Sequence, residues 1–117
     1  MSAGRKPKPT DINVRLVAPP TEFSVDFVQG MADRMSVSFY KYGAMASADI
    51  DVRATIAMRL DRYAETGNTE WLIDVANFAL IGFVHPTHTD AHYAATDSDQ
   101  SPGRVDTIGN VSADRNT

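Results

Sequence analysis

Cysteine is absent, so neither a disulfide framework nor a thiolate metal site can hold this chain together, and a cytoplasmic setting is the expectation. Positive charge is scarce: 11 lysines and arginines face 15 aspartates and glutamates, for a formal net charge of -4. A general nucleic-acid binder needs clustered Lys and Arg to neutralise phosphates. The only such cluster is Arg5, Lys6 and Lys8, interleaved with Pro7 and Pro9, which reads as a solubilising arm. No apolar run follows it, so the signal-peptide pattern is missing. Long apolar runs are missing too. The longest begins at Trp71, carries Asp74 and Asn77, and stops at Pro86 after about 15 residues, short of the roughly 20 that a membrane-spanning helix needs.

What is present is a short chain whose apolar residues lie mostly within 23–84 of its 117 positions. One small domain is expected, with a core drawn from about half the chain. Cores of that size are often completed by self-association, so a homo-oligomer is expected.

Three segments follow. Residues 1–20 form an N-terminal arm, in which Ile12, Val14 and Leu16 alternate with polar residues as a short strand or an extended piece laid on the core. Residues 21–85 form the helical core. Residues 86–117 are polar, with several Gly, Ser and Asp, and read as an irregular arm or tail.

Within the core, Phe23, Phe27, Met31, Met35 and Phe39 recur every four residues, the buried face of a first helix capped by Thr21 or Ser24 and ended by Gly43. After the AMASAD linker, Ser47 or Asp49 caps a second helix running from about Ile50 to Glu65, with Val52, Ile56, Leu60 and Tyr63 buried and Gly67 closing it. The tight TGNT connection makes the second and third helices antiparallel neighbours. Asn68 or Thr69 caps the third helix, which is apolar nearly all round, as a central helix is. The fold class is therefore all-α: a small bundle of about three helices, completed by oligomerisation. A third helix so apolar also argues against a helix-turn-helix, whose recognition helix must be polar and basic.

Against that apolar surround, Glu70, Asp74 and Asn77 stand out. At about 100° per residue they fall within about 60° of one another. A carboxylate in apolar surroundings costs several kcal/mol unless it is paired, hydrogen-bonded or bound to a cation, so something must face Asp74. Two acids four residues apart, with an amide oxygen one turn on, can hold a magnesium ion that also carries substrate phosphates. Alternatively, Glu70 interacts with the helix start while Asp74 pairs with Arg59 or Arg62 of the second helix.

The segments FYKYGAM (39–45), RATIAMRLDRY (53–63) and TEWLIDVANFALI (69–81) together resemble the all-α nucleotide pyrophosphohydrolases of the MazG-like type and the related helical domains associated with nucleotide modification. The resemblance covers 23–84 and is most specific in the last segment. It implies a nucleotide ligand and magnesium-dependent hydrolysis of a nucleoside triphosphate between the α and β phosphates. Glu70 and Asp74 resemble that family's final acidic motif, with Asn77 beside them, and Lys41 resembles a phosphate-side lysine. Two departures stand out. The acidic E-E-x-x-E pattern of the family's second helix is missing, with Asp61 and Glu65 as partial substitutes, and the final motif is spaced E-x-x-x-D instead of E-x-x-D.

If chemistry occurs, Glu65 or Asp61 would accept the proton of a metal-bound water, while Lys41, Arg59 and Arg62 would hold phosphates. Trp71 and Tyr42 are candidates to stack on a base, with core or interface packing as the plainer role of each. Arg104, in the polar tail, is a candidate phosphate contact. His85, His88 and His92 would place two ring nitrogens on one face for zinc only if their segment were helical, which Pro86 opposes. The alternative to all of these is a non-catalytic helical oligomer that binds another protein as a regulator or inhibitor, with Asp74 fixing helix register by pairing.

Overall fold

The computed structural model describes residues 8–45, 49–97, 99–109 and 111–112. The expected Ser47 cap and the basic residues Arg5 and Lys6 lie outside them. The chain divides into two compact units, Met1–Thr87 and His88–Thr117. In the first, three helices follow in order: α1, Val25–Tyr42; α2, Val52–Thr66; and α3, Glu70–Val84. The unit is all-α among the described residues, as expected.

Capping chemistry sets the helix ends. Ser24 Oγ accepts the Phe27 N–H at 3.0 Å and Asp51 Oδ1 accepts the Ala54 N–H at 3.0 Å, each satisfying an amide that the first helical turn leaves free. α2 thus starts two residues later than expected, because Asp51 and not Asp49 reaches back into the turn. Gly67, with φ 71° and ψ 5°, takes the left-handed conformation that ends α2 and donates its N–H to the Tyr63 carbonyl at 2.8 Å. The connection to α3 is bound locally. The Thr66 hydroxyl donates to the Arg62 carbonyl and accepts the Asn68 N–H, while Asn68 Oδ1 accepts the Glu70 N–H at 3.0 Å. Asn68, not Thr69, supplies the side-chain oxygen at this helix start.

α3 is central. A Cβ placed on Gly82 of α3 would stand 3.3 Å from Val52 at the start of α2, so the two helices run antiparallel, as the short connection predicts. Gly30 of α1 lies against Ile73, Met31 against Asn77, and Arg34 against Glu70 and Asp74. That order also makes α1 antiparallel to α3. In the last two turns of α1, Val37 and Tyr40 are exposed.

Packing within this unit is incomplete. Among the described residues no apolar side chain is fully buried, and the one buried residue is Asn77. Phe27, Met31, Met35 and Phe39 are half-buried as the α1 stripe requires, and Phe23 is exposed. Leu60 and Tyr63, expected to be buried, are exposed on α2. Ile12, Val14 and Leu16 form no strand and do not lie on the core: all three are exposed.

Among its described residues the C-terminal unit is irregular apart from one short ribbon. β1, Arg104–Val105, pairs antiparallel with β2, Val111–Ser112, in the register Arg104 to Ser112. Upstream, Asp97 Oδ1 accepts the N–H groups of Asp99 and Gln100, a side-chain turn of the kind aspartate favours.

Candidate functional site

The polar stripe of α3 faces its two neighbours and is engaged there. Arg34, from the middle of α1, donates Nε to Asp74 Oδ1 at 2.7 Å and Nη2 to Oδ2 at 3.1 Å, a two-pronged guanidinium–carboxylate pair. Its Nη1 reaches Glu70 Oε2 at 3.1 Å. From the other side, Arg59 of α2 brings Nε to 3.7 Å from Asp74 Oδ2 and lays its guanidinium 4.4 Å above the Phe78 ring, with Nη1 donating to the Thr55 carbonyl at 3.4 Å. Asp74 is only 13% exposed, against 41% for Arg34 and 57% for Glu70, so the pair sits at the edge of the interior.

The charges balance. Two arginines meet two carboxylates, which removes the cost of keeping Asp74 out of water. The Arg34 guanidinium is held above its ordinary pKa, chiefly by the hydrogen bond to Asp74, with burial opposing and the charges of Asp74 and Glu70 adding. Asn77 completes the stripe by donating Nδ2 to the Met31 carbonyl at 3.0 Å, tying α3 to α1. Its Oδ1 and the Arg59 Nε are buried without hydrogen-bond partners.

This arrangement bears on magnesium. Both Asp74 oxygens and one Glu70 oxygen already accept from Arg34, and the Asn77 oxygen is sealed from solvent. A cation at Glu70, Asp74 and Asn77 would first have to displace Arg34. As they stand, the three side chains do not fit an ion. Among the described residues no cluster of three His, Asp or Glu side chains is placed to hold a metal.

The other candidates scatter. Asp61 and Glu65 are exposed on α2, roughly 160° and 120° round the helix from Arg59, so they point away from the stripe. Arg62 pairs with Glu65 at 3.2 Å on the surface. Lys41 is exposed in the last turn of α1, and Tyr42 beside it is 78% exposed. Trp71 is half-buried in the first turn of α3. Arg104 opens β1, in the C-terminal unit. His85 closes α3, while His88 and His92 belong to the C-terminal unit, where His88 Nδ1 accepts the Asp90 N–H at 2.9 Å and His92 Nδ1 lies 2.7 Å from the Asp90 carbonyl.

Arg34 is the site residue that sequence reading missed. A signal existed: it lies one turn after Gly30, whose lack of a side chain lets α1 approach Ile73, and it borders the Phe27–Met31–Met35 stripe. No helix among the described residues is long and apolar enough to cross a membrane. Compared with known proteins, the chain matches no family model, no curated protein and no solved structure.

Proposed function

We propose that this protein works by association: a small, non-catalytic helical oligomer acting as an interaction or regulatory protein, in which the polar stripe of α3 sets helix register. The supporting observation is that Asp74 is neutralised from within by Arg34, and Arg59 stands behind it, leaving the carboxylate without need of a ligand. The exposed apolar side chains of α2 and α3 favour the same reading, since a domain with this little buried gains stability from a partner.

Thermal denaturation tests it. The melting temperature should rise with protein concentration and stay fixed when magnesium and nucleoside triphosphates are added, because only a ligand that binds the folded state stabilises it. A concentration-independent melt, or pyrophosphate released from any common triphosphate, would overturn it.

A second reading, nucleotide binding with magnesium in the manner of the MazG-like enzymes, draws on one feature of the site. Glu70 and Asp74 stand four residues apart on one helix face with two arginines beside them. It requires Arg34 to leave both carboxylates, so Arg34→Met should then create or strengthen a magnesium response in the melt. Under the association reading that variant gains none.

A further inference from the structure

Two histidines grip the backbone of one residue at the start of the C-terminal unit. The Asp90 N–H donates to His88 Nδ1 at 2.9 Å, and His92 Nδ1 lies 2.7 Å from the Asp90 carbonyl oxygen. The Ala91 N–H closes the turn by donating to the His88 carbonyl at 3.1 Å. These contacts fix the protons on both rings. A backbone N–H can only donate, so His88 Nδ1 keeps its lone pair and the ring proton sits on Nε2. A carbonyl can only accept, so His92 Nδ1 carries a proton. The two rings stand in opposite states on either side of Asp90, and only one of the two bonds depends on charge. With both nitrogens protonated, His88 would set N–H against N–H and lose its bond, whereas His92 offers the same donor whether neutral or charged.

We infer that residues 88–92 form a pH-operated turn, closed while His88 is neutral, opened when its Nδ1 takes a proton, and indifferent to the charge on His92. Imidazole gains its second proton near pH 6.5, about one unit below neutrality, so the change falls in a range that cells reach. Nothing shields the rings from it: every residue from 83 to 97 is exposed. The other titratable side chains of the turn are Asp90 and His92, and His85 precedes it by three residues. Elsewhere in the unit the described charged side chains are Asp97, Asp99, Arg104 and Asp106. Among the described residues no ion pair reaches either ring, so no fixed partner holds His88 in one charge state and its Nδ1 bond to Asp90 is the contact that protonation removes. The unit begins at His88, which places the device where the chain enters it. The inference is independent of the association reading.

Nitrogen-15 NMR of the full-length chain tests each part. At about pH 8 the ring-nitrogen shifts should show no proton on His88 Nδ1 and one on His92 Nδ1. As pH falls from there to about 5, the Asp90 amide should shift with the same midpoint as the His88 ring. Its protection from hydrogen exchange, relative to the intrinsic rate at each pH, should drop about fivefold, the loss of one hydrogen bond of ordinary net worth. His88→Asn keeps an acceptor in place, because an asparagine side-chain oxygen bonds the N–H two residues on and does not titrate. In that variant the Asp90 amide should stay protected at the acid end. His92→Asn, which still offers a donor, should leave the transition unchanged. A proton on His88 Nδ1 at the alkaline end, an Asp90 amide that ignores pH, or a transition that survives His88→Asn or vanishes in His92→Asn overturns the inference. If His88→Asn does not form the turn, the unsubstituted protein decides: separate midpoints for the Asp90 amide and the His88 ring overturn it.

Discussion

Replacing Arg34 with methionine isolates what the polar stripe contributes, because methionine keeps much of the side chain's length and removes only the guanidinium. Three contacts are lost: the 2.7 and 3.1 Å bonds to Asp74 and the 3.1 Å contact to Glu70. Hydrogen bonds to a charged partner are worth roughly 1.5–3 kcal/mol each when shielded, and breaking a fully buried pair costs about 3–5 kcal/mol. Arg34 is 41% exposed, however, so solvent screens its side of the pair. The Glu70 contact, at 57% exposure on the acid, adds at most a few tenths. Arg59 also stays 3.7 Å from Asp74 and takes over part of its compensation. About 2 kcal/mol is the resulting expectation. Urea denaturation at fixed protein concentration measures it as a lower midpoint with an unchanged slope.

The cycle with Asp74 makes the test strict. Asp74→Leu alone leaves Arg59 Nε and Arg34 without their shared anion, and should cost about as much as Arg34→Met. The double variant still leaves Arg59 Nε without its anion and Glu70 without Arg34, so it should cost about as much as Asp74→Leu alone and clearly less than the sum of the two single changes. A coupling energy below about 0.5 kcal/mol would refute the idea that this pair holds α1 to α3. Arg34→Lys should recover less than half of the loss, because an ammonium cannot make the two-pronged contact. The pH dependence has a definite sign. Since the folded-state pKa of Arg34 is raised, its contribution is complete below the unfolded value and disappears only as pH climbs through the folded one, in strong alkali. The Arg34→Met loss should therefore be the same at pH 7 and pH 9.5.

Gly67→Ala should destabilise by about 1–2 kcal/mol, although a Cβ there meets nothing within 4 Å, because φ 71° is costly for any residue with a side chain; chemical denaturation would show it. Ser24→Ala should cost about 1 kcal/mol by removing the acceptor for the Phe27 amide, and Ser24→Asp should restore most of that. Asn77→Asp should be worse than Asn77→Leu at neutral pH. An ionised carboxylate cannot donate to the Met31 carbonyl and adds a buried negative charge beside Asp74, whereas leucine removes the unpartnered oxygen as well as the donor.

Helix ends were legible where one residue had no local rival, as at Gly67, which ends α2 in the left-handed conformation. The start of α1 was open between Thr21 and Ser24, and it is Ser24 whose side chain reaches the first turn. The start of α2 was harder, because Ser47, Asp49 and Asp51 all suit a cap. Which one is used depends on the turn that carries Val52 onto Gly82, a tertiary contact. The need for a partner at Asp74 could be read from its apolar neighbours, and its identity could not. The short turn after α2 drew attention to Arg59 and Arg62, while the main partner is 40 residues away on α1. Periodicity marked Leu60 and Tyr63 as apolar positions without saying which chain covers them, and within one chain they remain exposed.

Between the helices Arg34 and Arg59 balance Glu70 and Asp74, so the stripe is held by attraction that added salt weakens, modestly, since Asp74 is mostly shielded. The Debye length falls from about 30 Å at 0.01 M salt to about 8 Å at 0.15 M. The Arg34→Met loss should therefore shrink by a few tenths of a kcal/mol over that range, as urea denaturation would measure. A loss that grows with salt would mean that Arg34 acts through packing and not through its charge.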